Sequence, residues 1–234
     1  MTKAEFLSET KKLGINITKE QLNLLDKFYQ LLIEWNQKIN LTTIVEYEEV
    51  YLKHFYDSLT LYKEINLNNE MFLCDVGSGA GFPGIVLKIC FPQLNVVLVD
   101  SLKKRVNYLN TIIKELKLKQ IVAIHSRMED FSRANEEKFD IITARAVANM
   151  NILLEISAKA LKIGGSLILM KANCDEEINN SKNALQKLSC KIVKVNKFEL
   201  PQEKGHRTLI HITKEETTDL KYPRNIDKIK KNPL

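Results

Sequence analysis

A chain of 234 residues, 44% apolar and 27% charged, has an ordinary globular composition and enough length to bury a sizeable core. No apolar run approaches the ~18 residues of a membrane span, and the opening MTKAEFLSETKK alternates charges where a secretory signal needs an apolar stretch. A cytoplasmic chain without membrane attachment is expected. The net charge of +6 is unevenly placed: residues 101–119 carry six basic side chains against Glu115 alone, and residues 221–234 carry five against Asp227 alone. Phosphate backbones reward such clusters through counterion release, although a solvated surface has the same composition.

In chain order, residues 1–65 read as helices. Thr18 with Gln21 three positions on resembles a capping box, after which Leu22, Leu25, Tyr29, Leu32 and Trp35 recur at helical spacing. Glu46 to Tyr62 is a further helical stretch, with Val50, Leu52, Phe55 and Leu59 as its apolar positions. The texture changes at INLNNE, residues 65–70. Strands are then predicted at Met71–Val76, Asn95–Asp100, Ile121–Ser126, Phe139–Ala144 and Ser166–Lys171, with helices near 84–91, 102–117 and 149–161. Apolar strands alternating with amphipathic helices indicate a parallel sheet covered on both faces. Gly164-Gly165 reads as the C-cap of the last helix. Strands at Lys191–Val195 and Thr208–Thr213 close the sheet. The expected fold is α/β and Rossmann-like, a seven-stranded, mostly parallel sheet over residues 66–214, with a helical N-terminal extension (1–65) and a basic C-terminal tail (215–234). Cys74, Cys90, Cys174 and Cys190 lack C-x-x-C spacing and read as reduced packing residues, with no metal site expected.

The stretch DVGSGAGFPG, Asp75 to Gly84, places four glycines in eight positions, more than a tight turn needs. Two patterns fit it. Gly79-Ala-Gly81-Phe-Pro-Gly84 matches the G-x-G-x-x-G of a dinucleotide site. Asp75-Val-Gly77-Ser-Gly79-Ala-Gly81 matches the acidic-x-G-x-G-x-G loop of S-adenosylmethionine (SAM) methyltransferases. Either ligand would lie beyond the carboxyl ends of the strands, close to the glycine backbone. Asp100, ending the second strand, can accept both ribose hydroxyls in either case.

Three features favour SAM over a nicotinamide cofactor. Asp75 can orient the loop and water around a cationic methionine moiety, whereas a pyrophosphate relies on a positive helix N-terminus and has less use for a carboxylate. Pro83 sits as at the first position of a helix. The closing pair of strands suits a methyltransferase sheet.

The acceptor is approached through absences. After the fourth strand stands Thr143-Ala144-Arg145-Ala146, where amino-group methyltransferases carry an Asp/Asn-Pro-Pro-aromatic loop. No cysteine nucleophile beside a proline is present there, and His54, His125, His206 and His211 are scattered. No general base is evident. An acceptor with a lone pair and no proton, such as guanine N7, would need positioning more than a base.

The runs FLCDVGSGAGFPGIVLKICFP, LVDSLKKRVNYLN, ITARAVANM and LKIGGSLILMKA, with EWNQKINLTTI and HFYDSL before them and YPRNIDKIKKNPL after, resemble the glucose-inhibited division protein B family. That resemblance spans nearly the whole chain. It implies a bacterial SAM-dependent methyltransferase modifying guanine N7 in the decoding-region loop of 16S ribosomal RNA. It places Gly77 and Phe82 in the cofactor loop beside Gly79 and Gly81. It sets Met128 and Glu129 at an Ala-Glu position lining the adenine side, with Met replacing Ala. It puts Arg145 at the mouth of the site, as a cofactor or RNA phosphate contact and the one catalytic candidate. Asn40, His54 and Asp57 would fasten the N-terminal helices to the rim, or act as caps and turn residues.

Lys103, Lys104 and Arg105 open a helix whose dipole they oppose, which points to another purpose. They and the tail residues Arg224, Lys228, Lys230 and Lys231 are expected to contact RNA phosphates, with Phe82 and Tyr222 as candidate stacking aromatics. The partner is 16S rRNA in a small subunit or assembly intermediate, the default state a monomer. The alternatives are a noncatalytic SAM-binding assembly factor and a nicotinamide-dependent oxidoreductase.

Overall fold

In the computed structural model, which describes residues 1–203 and 205–234, seven strands form one sheet: β1 Phe72–Val76, β2 Asn95–Asp100, β3 Ile121–His125, β4 Phe139–Arg145, β5 Leu161–Lys171, β6 Cys190–Glu199 and β7 His206–Lys214. Their order is β3-β2-β1-β4-β5-β7-β6. β1 to β5 are parallel, and β7 runs antiparallel to both β5 and β6. The chain winds outward from β1 to β3 and returns to β4 on the other side. The crevice at the carboxyl ends of β1 and β4 is therefore the switch point where such sheets bind ligands.

Strand alternation divides the core in two. Leu73, Leu98, Ile141 and Ile168 face one apolar cluster, and Cys74, Val76, Ile142 and Leu167 face the other. The N-terminal helices belong to the first. The helix Lys19–Ile39 starts with the expected capping box, Gln21 N–H donating to Thr18 Oγ1 at 3.2 Å and Thr18 N–H to Gln21 Oε1 at 2.9 Å. It buries Leu25, Phe28 and Leu32. The second stretch is helical from Tyr47 to Lys63 but irregular: α at Tyr47–Val50, a π-turn over Tyr51–Tyr56, α at Asp57–Leu59 and a 3₁₀ end at Thr60–Lys63. The wide turn falls at His54 and its neighbours, as π-turns often do where side chains have a task.

Two readings of the sequence are corrected. The helix before β5 ends at Ser157, and Gly164-Gly165 lie inside the strand instead of capping it. Ala160 O accepts from Lys138 N and Phe139 N at 3.0 Å, which draws the chain into the sheet early. Register then jumps from Phe139↔Leu161 to Ile141↔Ser166, and Gly164, with φ +75°, makes the bulge possible. Pro83 precedes the helix Gly84–Cys90 and is not its first residue.

The tail also folds onto the body. Tyr222, Ile229 and Leu234 are buried in the second cluster, and the short helix Ile226–Lys231 packs against the helix Met150–Ser157. All four cysteines are free and buried, and no described helix is long and apolar enough to cross a membrane.

Phe28 couples the N-terminal helices to the glycine loop, its ring centroid 5.7 Å from Phe55 and 5.4 Å from Phe82. Phe28→Ala should cost about 3–5 kcal/mol, measured as a lower urea midpoint with unchanged slope. A loss below 1 kcal/mol would mean the helical layer is not part of the cooperative core.

Candidate functional site

The loop after β1 strongly favours glycine at three positions. Gly77, Gly79 and Gly81 have φ of +67°, +54° and +96°, a region side-chain-bearing residues rarely occupy. Gly77 and Ser78 donate their N–H groups to Val99 O at 2.8 and 3.2 Å. Asp100 then receives Gly79 N–H on Oδ2 (2.9 Å) and Leu102 N–H on Oδ1 (2.8 Å), tying the loop to the end of β2. Asp75 lies beneath the loop. Its Oδ2 accepts Gly84 N–H at 2.9 Å, while Oδ1 is buried with no hydrogen-bond partner among the described residues. Burial pushes this carboxyl up to about 7 against the opposing bond from Gly84.

Two cavities meet at Gly77. One, of about 270 Å³, is lined by Val76, Val99, Met128, Ile152 and Val147, with Ser126 and Glu129 as polar members. Glu129 is 5% exposed, and its carboxylate has no hydrogen-bond or ion-pair partner among the described residues. The other, about 180 Å³, lies against Gly77–Ala80, Phe82, Thr42, Arg105 and Arg145. A further cavity of about 320 Å³ shares His54, Arg145 and Ala146 with the second and extends to Lys171 and Arg207.

Arg145, the last residue of β4, holds the rim together. Its Nη1 donates to Lys53 O at 3.0 Å and Asp57 Oδ2 at 3.1 Å, its Nη2 donates to His54 Nδ1 at 3.1 Å, and its guanidinium lies 5.1 Å from the Phe82 ring centroid. His54 stacks on the same ring at 4.4 Å and 18°. Arg207 Nε holds the other Asp57 oxygen at 2.9 Å. Because a guanidinium only donates, His54 Nδ1 must accept. The ring proton therefore sits on Nε2 and is donated to Thr42 Oγ1 at 2.9 Å. Thr42 Oγ1 also accepts Ile44 N–H at 3.1 Å, which leaves the hydroxyl proton of Thr42 free on the second cavity. Burial, reinforced by Arg145, pushes His54 down to about 3, so the ring is neutral. Ala146 follows with φ +54°, a strained conformation for a residue with a Cβ.

The structure brings Gly77, Gly79, Phe82 and Arg145 to one cavity and Met128 and Glu129 to the adjoining one. Asp75 and Asp100 stand behind the loop and brace it. Several expectations are corrected. Arg145 is not an open phosphate ligand, since three of its five N–H groups are committed inside the protein. Arg224 is not free for RNA either: its Nε and Nη2 each donate at 2.7 Å to the two oxygens of fully buried Glu155. Arg105 turns inward to Asp100 at 3.6 Å, leaving Lys103 and Lys104 exposed at the start of the helix Lys103–Glu115. Phe82 and Tyr222, each 5% exposed, are packing residues and not exposed stacking platforms. Asn40 is the left-handed C-cap of its helix (φ +48°), while His54 and Asp57 do fasten the rim. Sequence reasoning missed Thr42, Ser126, Val147 and Ile152 as lining residues. Of these, Thr42, inside NLTTI, and Val147, inside ITARAVANM, lay in motifs already singled out.

Comparison with known proteins gives a consistent answer. The family model described as rRNA small subunit methyltransferase G matches residues 21–208. A Bacillus cytotoxicus protein named Ribosomal RNA small subunit methyltransferase G is 43% identical over 233 residues, 98% of each chain. A Bacillus thuringiensis protein of that name is 42% identical over 233 residues, also 98% of each chain. Among solved structures, a SAM-dependent methyltransferase from Aquifex aeolicus is similar with TM-score 0.52 at 20% identity, covering 72% of this chain and 94% of its own. Aeropyrum pernix fibrillarin in complex with SAM gives 0.52 at 14% identity, covering 64% and 69%. The structural likenesses show a shared Rossmann-like fold.

Asp75 should imprint a pH dependence on the free protein. Between its ordinary value of 3.8 and its folded value of about 7, the folded chain keeps a proton that the unfolded chain has released. The stability this proton supplies is full below pH ~4 and is lost as pH rises through about 7, at up to roughly 1.4 kcal/mol per pH unit. Urea unfolding of Asp75→Asn should therefore gain on the parent protein as pH rises from 4.5 to 7.5. A constant difference across that range would refute the assignment.

Proposed function

The chain belongs to the rRNA small subunit methyltransferase G family, and from that premise we propose that it transfers the methyl group of SAM to N7 of a guanine in the decoding-region loop of 16S ribosomal RNA. The cavities fit the cofactor. An apolar slot with an unpartnered carboxylate at Glu129 suits a purine nucleoside with an N–H donor. At Gly77 any Cβ would stand 2.8 Å from the Val147 side chain and would have to adopt φ +67°, so only glycine fits where the two cavities meet. Asp100 keeps one further lone pair on each oxygen for ribose hydroxyls. On this reading Gly77, Gly79, Asp100, Met128 and Glu129 hold the cofactor, Gly81 and Asp75 shape the loop from behind, and Arg145 with Phe82 fixes its outer edge. Bound SAM supplies an electrophilic methyl on a sulfonium.

The observation that carries the acceptor is that neither titratable group at the described rim, His54 or Asp57, is free to act as a base. The lone pair of His54 Nδ1 is taken by Arg145, and its Nε2 proton is committed to Thr42. Asp57 is held between two guanidiniums. Neither group is free to take a proton. An acceptor that must lose one would be poorly served; guanine N7 attacks with an in-plane lone pair and needs alignment and water exclusion. The Thr42 hydroxyl, free to donate, and the cavity running to Lys171 and Arg207 are suited to the acceptor base and its strand.

The RNA meets the protein, as a monomer, across Lys103 and Lys104 and the exposed tail residues Lys228 and Lys231. Its form is the small subunit or an assembly intermediate. The test is methyl transfer from labelled SAM to small subunits from cells lacking this protein, followed by nucleoside analysis. One 7-methylguanosine, mapped to the decoding-region loop and lost with Gly77→Asp, is expected. SAM binding without transfer to subunits or naked 16S RNA would instead indicate a noncatalytic assembly factor. Reversing two charges, as Lys103→Glu with Lys104→Glu, should weaken RNA binding and lower the slope of log affinity against log salt by about 2. An unchanged slope would remove these lysines from the interface.

A further inference from the structure

The cavity that holds Gly77, Met128 and Glu129 has a wall from the far end of the chain: Ile226 and Lys230 line it too. The two are four residues apart on the helix Ile226–Lys231, hence on one face of it. Between them Ile229 is fully buried in the core. The segment is held at several points before any ligand arrives. Arg224 forms its two-pronged pair with Glu155, and Arg224 N–H adds a third bond to Glu155 Oε1 at 2.9 Å. Arg133 Nη2 donates to Pro223 O at 2.8 Å, and Asn151 Nδ2 donates to Leu234 O at 2.8 Å. Asn225 caps the helix by accepting Asp227 N–H at 3.0 Å. A buried carboxylate matched by a planar guanidinium is strongly orienting, and losing either partner leaves an uncompensated charge. Such an anchor is not needed for a tail that merely trails its lysines toward RNA.

We propose that residues 222–234 are a built-in wall of the cofactor site, with Ile226 packing on the purine nucleoside of the cofactor and the stem of Lys230 closing the rim while its ammonium stays in water. The inference rests on the reading that this cavity takes the nucleoside of SAM. It moves Lys230 and Arg224 from RNA binding to cofactor binding. Arg224 acts as a positioning residue, through Glu155 and the helix it fixes.

Titration calorimetry with S-adenosylhomocysteine, on full-length protein without RNA, tests it. Ile226→Trp, which fills the slot, should weaken binding on the order of 10-fold, equal to about 1.4 kcal/mol. Arg224→Gln, which releases the anchor, should weaken it several-fold. In turnover both should raise KM for SAM while kcat at saturating SAM holds, a split that general loosening of the fold would not produce. Should Arg224→Gln fail to fold, Ile226→Trp decides alone. Folded variants that bind S-adenosylhomocysteine like the parent, or that lose only subunit affinity, would overturn the proposal. A parent protein that does not bind S-adenosylhomocysteine at all would sink the functional reading itself, and this inference with it.

Discussion

The arrangement of the whole site depends on one guanidinium. Arg145 ends the central strand β4 and reaches back 88–92 residues to the helical run that precedes the sheet, contacting Lys53 O, Asp57 and His54 at 3.0–3.1 Å. A charge this enclosed is tolerable only because each committed N–H meets a carbonyl, a carboxylate or a ring nitrogen. The same group fixes the His54 tautomer and covers Phe82, so the chemistry of the rim and the shape of the glycine loop are set together. That economy explains why the N-terminal helices pack through Phe28 and Phe55 onto Phe82. They complete the cavity that the sheet alone leaves open.

Much of this was legible in the sequence because it follows from local rules. Apolar strand runs, a capping box and four clustered glycines all state their purpose over fewer than a dozen residues. The seven strands and their two-stranded closing edge follow that pattern. What was not legible is set by partners distant in sequence. Gly164-Gly165 has the composition of a helix C-cap and became a strand bulge because Ala160 O was already taken by β4. Arg224 read as one cation in a basic tail, yet its partner Glu155 lies 69 positions earlier. Arg145 looked like a phosphate ligand at a strand end for the same reason: nothing in its own neighbourhood announces Asp57.

The positive charge of the chain accordingly divides in two. Some cations are committed within the protein: Arg145 and Arg207 pair with Asp57, Arg224 pairs with Glu155, Arg105 leans on Asp100, and Lys88, Lys159 and Lys214 are buried. Lysines such as Lys103, Lys104, Lys228 and Lys231 stay at the surface. The division follows partners and not residue type: a planar fork suits fixed recognition of a carboxylate, but the buried ammonium of Lys214 is held as firmly, donating to Leu161 O at 2.9 Å and Glu137 Oε1 at 3.2 Å. Clustering in the sequence did not separate the two uses; pairing geometry does.

The anchored C-terminal segment has a consequence for when the protein becomes competent. Residues 222–234 are synthesised after every strand of the sheet, and domains fold as they emerge. A nascent chain can therefore close its sheet and form its glycine loop while the slot beside Met128 and Glu129 still lacks Ile226 and Lys230. Glu155 spends that interval without Arg224. A stretch made after the whole sheet thus supplies both the missing wall and the counter-charge, so the slot closes later than the fold that carries it.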